Sequence, residues 1–388
     1  MIYLFILLTI MGYSLKYDFH SSIMIQANKH YKFLCLCFIL LAGLRFYVGS
    51  DTHNYVYDFS IMPDFSNLSE YHRLESRYQL GWDVYVCLIK ALFGNFVYVQ
   101  LITAIIVNVL IFQFIKRSTT SIFLALLFYY VLNYFEYNTE IMREAISLSL
   151  GLVAIRYYER GKKLNFFLLL ILAFEFHISA IILIITPFVA NIKYSRKLVI
   201  WVFITSAFIP IVFSQISGLA NLLNLFTGSD PEYLQKYLNQ SLDHSRNLNY
   251  YIDLYVSYLL IPILCMLILK NRTQYTGLLI AFIIIRSMGM FTYAFYRFGN
   301  YFAPFYWILL ADTTYYFWQR TRINKQILLI LLTVFILFIY QRAQLGSFPE
   351  HPEHKLYERY IPYEMVNTTD HNYSIKKSKY YFRNGIHD

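Results

Sequence analysis

Val97-Tyr-Val-Gln-Leu-Ile-Thr-Ala-Ile-Ile-Val-Asn-Val-Leu-Ile-Phe-Gln-Phe-Ile115, followed at once by Lys116-Arg117, is the stretch that decides the fold. It is uncharged over about 20 residues, the length an α-helix needs to cross the hydrocarbon core of a bilayer. Comparable runs occupy 2 to 15, 33 to 48, 121 to 137, 140 to 158, 198 to 213, 250 to 269, 275 to 295, 298 to 317 and 326 to 340. Two further segments, 79 to 94 and 164 to 190, are ambiguous. Helices alone suit such runs, because an unpaired peptide group in hydrocarbon costs several kcal/mol and an open sheet edge has many.

Composition points the same way. The 388 residues are 58% hydrophobic and only 14% charged. A soluble protein of this size has too little interior for so much apolar side chain. The expected fold is all-α, a multi-pass transmembrane helical bundle of about 10 to 12 spans with re-entrant or short hairpin elements and outer loops. Residues 1–340 form the polytopic membrane domain, and 341–388 a Tyr-rich, charged C-terminal extracytoplasmic tail that reads as a partly ordered extension. The opening run lacks a basic start and a small-residue cleavage site before Lys16, so it reads as a retained first span.

The net charge of +10 is scattered through short loops and forms no stripe for nucleic acid. It reports topology instead. With the N-terminus outside, the inner loops carry Lys16, Lys29, Lys32, Lys116, Arg117, Arg156, Arg160, Lys162, Lys163, Lys193, Arg196, Lys197, Lys270, Arg272, Arg320, Arg322 and Lys325. The longer outer connections carry fewer than half as many: Arg45, Arg73, Arg77, Lys90, Arg143, Lys236, Arg246 and Arg297. Both termini then lie outside, as do loops 44–96 and 214–249. Because both flanks of 164 to 190 are basic, that segment enters and leaves by the inner face, as a tight hairpin or re-entrant pair bent near Phe176-His177-Ile178. By the same logic 79 to 94 is an amphipathic or re-entrant element.

Polar residues therefore gather on the side facing away from the cytoplasm. The first outer loop holds Arg45, Gly49, Asp51, His53 and Tyr55, then Glu75, Arg77, Gly81 and Trp82. Carboxylates beside aromatics suit a sugar, and the forked donors of Arg45 and Arg77 suit a diphosphate. A solvated loop or a lipid headgroup accounts equally for either arginine alone. Arg143 opens a helix, where the macrodipole disfavours a cation; an anionic ligand explains it, and so does a salt bridge with Glu136 or Glu140.

His177 interrupts an apolar run, with Ser179 and Ala180 following, and is either a functional group or a His bonded to a neighbouring helix. Glu175 reaches it only across a bend. Arg286, mid-span, reads as structural and paired with Asp253 or Asp312, whereas Arg297 at the outer surface is the better substrate ligand. Loop 214–249 adds Asp230, Glu232, Asp243, His244 and Arg246. The four cysteines, Cys35, Cys37, Cys87 and Cys265, lie in apolar stretches without zinc-ligand spacing, so no metal is expected. Walker, HExxH, GxSxG and dinucleotide signatures are absent, leaving ATP hydrolysis, zinc proteolysis and serine hydrolysis unsupported.

Arg45-x3-Gly49-x-Asp51-x3-Tyr55 after the second span, the segment from Glu75 to Gly81, Met142-Arg143 opening a helix, and Phe176-His177-x-Ser179-Ala180 together resemble the EpsG family of Wzy-type polysaccharide polymerases. The resemblance covers most of 1 to 310, with little to match beyond; Glu144 stands where family members commonly have Gln. It implies extension of an O-antigen, capsule or exopolysaccharide on the outer face of a bacterial cytoplasmic membrane. Polymer on one undecaprenyl diphosphate is transferred to the non-reducing end of a repeat unit on another. No cofactor is implied. Implied partners are the undecaprenyl-diphosphate-linked oligosaccharides, the lipid bilayer, and a chain-length regulator and flippase of the same pathway. On this reading Arg45, Arg143 and Arg297 hold the diphosphates, Asp51 or His177 is the general base, and Glu75 with Tyr55 orients the sugar. The competing classes are a multi-spanning C-superfamily glycosyltransferase, a membrane O-acyltransferase and a polysaccharide transporter.

Overall fold

A computed structural model describes residues 2–20, 24–49, 51–213, 255–289 and 293–320, and beyond them 325, 329, 332–337, 356–360, 363, 365 and 366. The protein is an all-α membrane bundle. Among the described residues the extended pairing consists of an isolated antiparallel bridge between Arg45 and Met365. The helices Ile2–Phe19, Phe96–Ser118 and Tyr255–Arg272 are long and apolar enough to cross a membrane, with shorter apolar helices at Ile122–Tyr134, Ile178–Val189 and Thr276–Met288. Loop 214–249, with Asp230, Glu232, Asp243, His244 and Arg246, lies outside the described residues, as do Asp253 and most of 326 to 340.

The chain divides into two compact units. Met1–Val153, Ile171–His177 and Arg320–Asp388 make the first; Ala154–Leu170 and Ile178–Gln319 make the second.

In the first unit, Met24–Gly43 lies along Phe96–Ser118. A Cβ on Gly43 would stand 2.9 Å from the Leu101 Cα, so the absent side chain lets the two backbones close. Buried phenols donate to helix carbonyls: Tyr31 to Phe112, Tyr134 to Phe38 and Tyr130 to Tyr3, each at 2.8 Å. Deeper still, Asn108, Asn138 and Tyr129 close a ring of hydrogen bonds. Asn108 Nδ2 donates to Asn138 Oδ1 (2.7 Å), Asn138 Nδ2 to the Tyr129 hydroxyl (2.9 Å), and that hydroxyl to Asn108 Oδ1 (3.3 Å). A dry interior tolerates amides only when they are mated in this way.

The runs 121 to 137 and 140 to 158 meet at a short break. Ile122–Tyr129 continues through wide π-helical turns at Tyr130–Tyr134 and Glu136–Glu140, breaks at Ile141, and restarts as Met142–Glu159. Such turns are uncommon and recur at functional sites. The stretch 44 to 96 is itself helical, with Thr52–Ile61, Leu68–Leu74 and Leu80–Phe93. Lys90, counted above as an outer cation, sends Nζ to the carbonyls of Phe59, Ser60 and Met62 at 2.9, 3.0 and 2.6 Å. It thereby closes the C-terminal end of Thr52–Ile61, where orphan carbonyls and the helix dipole favour a cation.

The helix Lys163–Phe176 ends where the sequence predicts the bend: His177 is non-helical, and Ile178–Ile185 resumes as a 3-10 helix. In the second unit, Arg196–Phe213 packs on Thr276–Met288 and Ile261–Leu269. Gly277 carries no Cβ because the Val189 carbonyl occupies that space. Arg286 donates to the Tyr296 carbonyl (3.1 Å) and to Asn300 Oδ1 (2.6 Å), pinning Tyr293–Asn300 to its own helix.

Candidate functional site

Arg143 occupies the first turn of Met142–Glu159, just after the break at Ile141. It forms no ion pair with Glu136 or Glu140 among the described residues, and its Nε is buried without a hydrogen-bond partner. What holds it is a ring: the guanidinium carbon lies 3.9 Å from the centroid of Tyr78. The Tyr78 hydroxyl donates to Asp58 Oδ2, and Arg77 Nη2 donates to the same oxygen at 3.2 Å. Burial is the main cause that lifts the Tyr78 phenol above its ordinary range; Arg143 pulls it down and Asp58 pushes it further up. Tyr78 is thus a neutral donor whose ring presents a flat, electron-rich support to a guanidinium with N–H groups left for a ligand.

The segment 171–177 brings His177 into the same unit. Ser147, one turn after Arg143, donates to the Ala173 carbonyl at 2.6 Å, and the His177 amide donates to that carbonyl at 3.1 Å. On its other side the segment presses on Leu80–Phe93. A Cβ on Gly81 would stand 2.6 Å from both the Cβ and the carbonyl oxygen of Glu175, and the Gly81 amide donates to Glu175 Oε2 at 3.3 Å. Glu175 therefore fixes this contact through Gly81. The His177 side chain is 6% exposed.

Arg45 is 1% exposed, and its donors turn inward. Nε reaches the Val48 carbonyl (3.2 Å), Nη1 the Ala42 carbonyl, and Nη2 the Met142 sulfur (3.0 Å). It anchors the residue before Arg143, a role different from the open diphosphate ligand that the sequence suggests. Gly49 follows with φ +98, where a Cβ would lie 2.7 Å from the Thr139 carbonyl oxygen, so glycine alone fits the turn. The Asp51 amide then donates to Glu140 Oε2 at 3.2 Å.

Asp51, Tyr55 and Asp58 share one face of Thr52–Ile61, at helical spacings of four and three. Tyr55 is buried, 5.7 Å from the Trp82 ring. Glu75, just past Leu68–Leu74, is exposed, and Arg77 is mostly so. The first unit thus gathers Arg45, Asp51, Tyr55, Glu75, Arg77, Arg143 and His177; Arg297 belongs to the second, on Tyr293–Asn300.

Three partners escaped the sequence reading. Asp58 was legible from its spacing behind Asp51 and Tyr55, and Tyr78 from its place beside Arg77. Arg359, whose Nη1 lies 3.9 Å from Glu140 Oε1, had no signal at all. Among the described residues no group of His, Cys, Asp and Glu has the makings of a metal site.

Fold and site define a polytopic α-helical membrane protein in which the helices of 44 to 96 support a guanidinium that makes no ion pair among the described residues. The EpsG family model matches residues 28–365, and the chain belongs to the EpsG family. This membership supports a membrane polysaccharide-polymerase-like role. No curated protein and no solved structure matches the chain. The family match runs past 310, beyond which the sequence offered little to match, to residue 365.

Proposed function

We propose that this protein is a Wzy-like polymerase that joins undecaprenyl-diphosphate-linked oligosaccharide repeat units on the outer face of the bacterial cytoplasmic membrane. The observation that carries the proposal is Arg143, held on the Tyr78 face with no salt bridge among the described residues. Breaking an anomeric C–O bond to diphosphate leaves negative charge on the departing oxygen, and a preoriented guanidinium stabilises that charge as it forms. Tyr78 fixes the plane of Arg143, while Asp58 fixes Tyr78 and Arg77 together.

Asp51 or His177 takes the proton of the acceptor hydroxyl. Asp58 is occupied by the Tyr78 and Arg77 donors, which suits it to support. Glu75 and Tyr55 orient the sugar. Arg45 acts behind Arg143 through Met142, and Arg297 is a separate candidate for binding a diphosphate. The products leave to a chain-length regulator, and a flippase supplies the repeat units.

The test is elongation of purified lipid-linked repeat units by detergent-solubilised protein. The wild type lengthens the chains; Arg143→Ala, inserted to the same level, does not. Elongation by Arg143→Ala at the wild-type rate removes the diphosphate role. In cells, deletion leaves single-repeat polymer, whereas loss of a C-superfamily transferase leaves an incomplete repeat.

A further inference from the structure

The C-terminal stretch, read from sequence as a partly ordered appendage, is tied to four parts of the first unit. Val366 N donates to the Leu44 carbonyl (3.0 Å) beside the Arg45–Met365 bridge, and the Tyr363 hydroxyl donates to the Leu41 carbonyl (3.1 Å). Tyr360 receives the Tyr3 hydroxyl on its carbonyl (3.0 Å) and sets its ring 5.0 Å from Phe135. The Arg359 carbonyl accepts from the Gly49 amide at 2.9 Å, and the Arg359 guanidinium faces Glu140 at 3.9 Å.

Glu140 is 6% exposed, and its other oxygen receives the Asp51 amide. One residue of the tail thus holds both ends of the Gly49–Asp51 turn, by main chain at Gly49 and through a carboxylate at Asp51. Burial works against the Arg359 charge, but Tyr360, Glu140, Glu136 and Asp51 outweigh it and hold the guanidinium above its ordinary range. Without that cation, the buried Glu140 carboxylate would lose a counter-charge. If the tail shifted as a result, the Gly49 amide, itself buried, would lose the Arg359 carbonyl as its acceptor. The family match ends at Met365, the tail residue bridged to Arg45, so this stretch is within what the family shares.

We infer that Arg359 is a positioning residue for the transfer reaction: it fixes Glu140 and the Gly49–Asp51 turn, and so sets Asp51 against the acceptor. The inference rests on the polymerase reading and names a residue that reading does not contain. It acts through Asp51 and Glu140 and touches no substrate.

The experiment uses the full chain and compares Arg359→Gln, Arg359→Lys and the double variant Arg359→Gln/Glu140→Gln. Elongation of lipid-linked repeats is measured per folded molecule, with kcat and KM separated. Arg359→Gln lowers kcat by about tenfold or more with KM for the repeat unit unchanged, the signature of lost transition-state positioning. Arg359→Lys restores part of that loss. Adding Glu140→Gln to Arg359→Gln restores more, because the buried charge is gone while an amide oxygen still accepts from Asp51.

A rise in KM at constant kcat overturns the inference in favour of direct ligand binding. A faster rate overturns it in favour of a plug. An unchanged rate per folded molecule leaves Arg359 merely structural. Alongside, Val48→Cys is labelled with maleimide in a chain whose Cys35, Cys37, Cys87 and Cys265 are replaced by Ala. Val48 is buried, and labelling accelerates when Arg359→Gln is added; equal labelling rates overturn the docking. If the wild type elongates nothing, the polymerase reading fails while the labelling still reports whether the tail holds the turn.

Discussion

Arg143 and Arg286 both lie against aromatic faces, and they differ in where their N–H groups go. Arg286, 2% exposed, donates to Tyr296 and Asn300, lies 4.1 Å from the Tyr296 centroid and 5.0 Å from that of Tyr258, and has room because Gly299 lacks a Cβ. Arg143 has the Tyr78 ring at a similar distance; its Nε, like that of Arg286, is buried without a hydrogen-bond partner, and its Nη groups meet no acceptor among the described residues. An aromatic face orients a guanidinium without using its in-plane donors. The second unit gives the Nη groups protein acceptors and gains a joint between helices; the first leaves them for something else. A membrane-embedded arginine therefore announces function less by its depth than by what its donors meet.

Substitutions at the two sites break or sharpen this contrast. Arg286→Ala should have the largest effect, destabilising the folded protein by about 3 kcal/mol or more, because two buried hydrogen bonds from a charged donor, each about 1.5–3 kcal/mol, are lost. The readout is thermal unfolding in detergent, and a variant that unfolds like the wild type yet fails only in turnover erases the distinction. Arg143→Ala should behave oppositely, with stability kept and elongation reduced by about 100- to 1000-fold.

Gly81→Ala tests the contact that carries 171–177 to the site. Its new Cβ meets Glu175 backbone at 2.6 Å, and a loss of about 1–3 kcal/mol is expected, read from the same melts. The mildest is Tyr78→Phe, which keeps the ring under Arg143 and removes the bond to Asp58, so elongation should fall by no more than about tenfold. Because the Tyr78 phenol is held above its ordinary value of 10.0, wild type and Tyr78→Phe should share the same alkaline limb in their pH–rate profiles up to that pH. A limb that vanishes with the hydroxyl assigns Tyr78 a titrating role instead.

The sequence made legible whatever depends on a residue and its near neighbours. Hydropathy over one window marks Phe96–Ser118 as a helix, and basic flanks on both sides of 164 to 190 place its bend at His177. A cation in the first turn of Met142–Glu159 was conspicuous for the same reason: it contradicts the local dipole. Partners fixed by folding at long range left no such trace. Arg45 was recognisable as a costly buried charge, but Met142 as its acceptor was not. Tyr78 meets Asp58 only because Thr52–Ile61 and Leu80–Phe93 fold back on each other, and Arg359 reaches Glu140 across more than half the chain.

The π-helical turns at Tyr130–Tyr134 and Glu136–Glu140 have a rotational consequence. Each wide turn lodges a surplus residue, and in an ordinary helix one residue swings the chain by about 100°. Trimming a single position from either turn would wind the rod back to regular pitch and rotate the whole downstream helix, carrying the Met142-Arg143 pair off its aromatic seat. The chemistry at one end is indexed, like the teeth of a key, by a count of residues nearer the other.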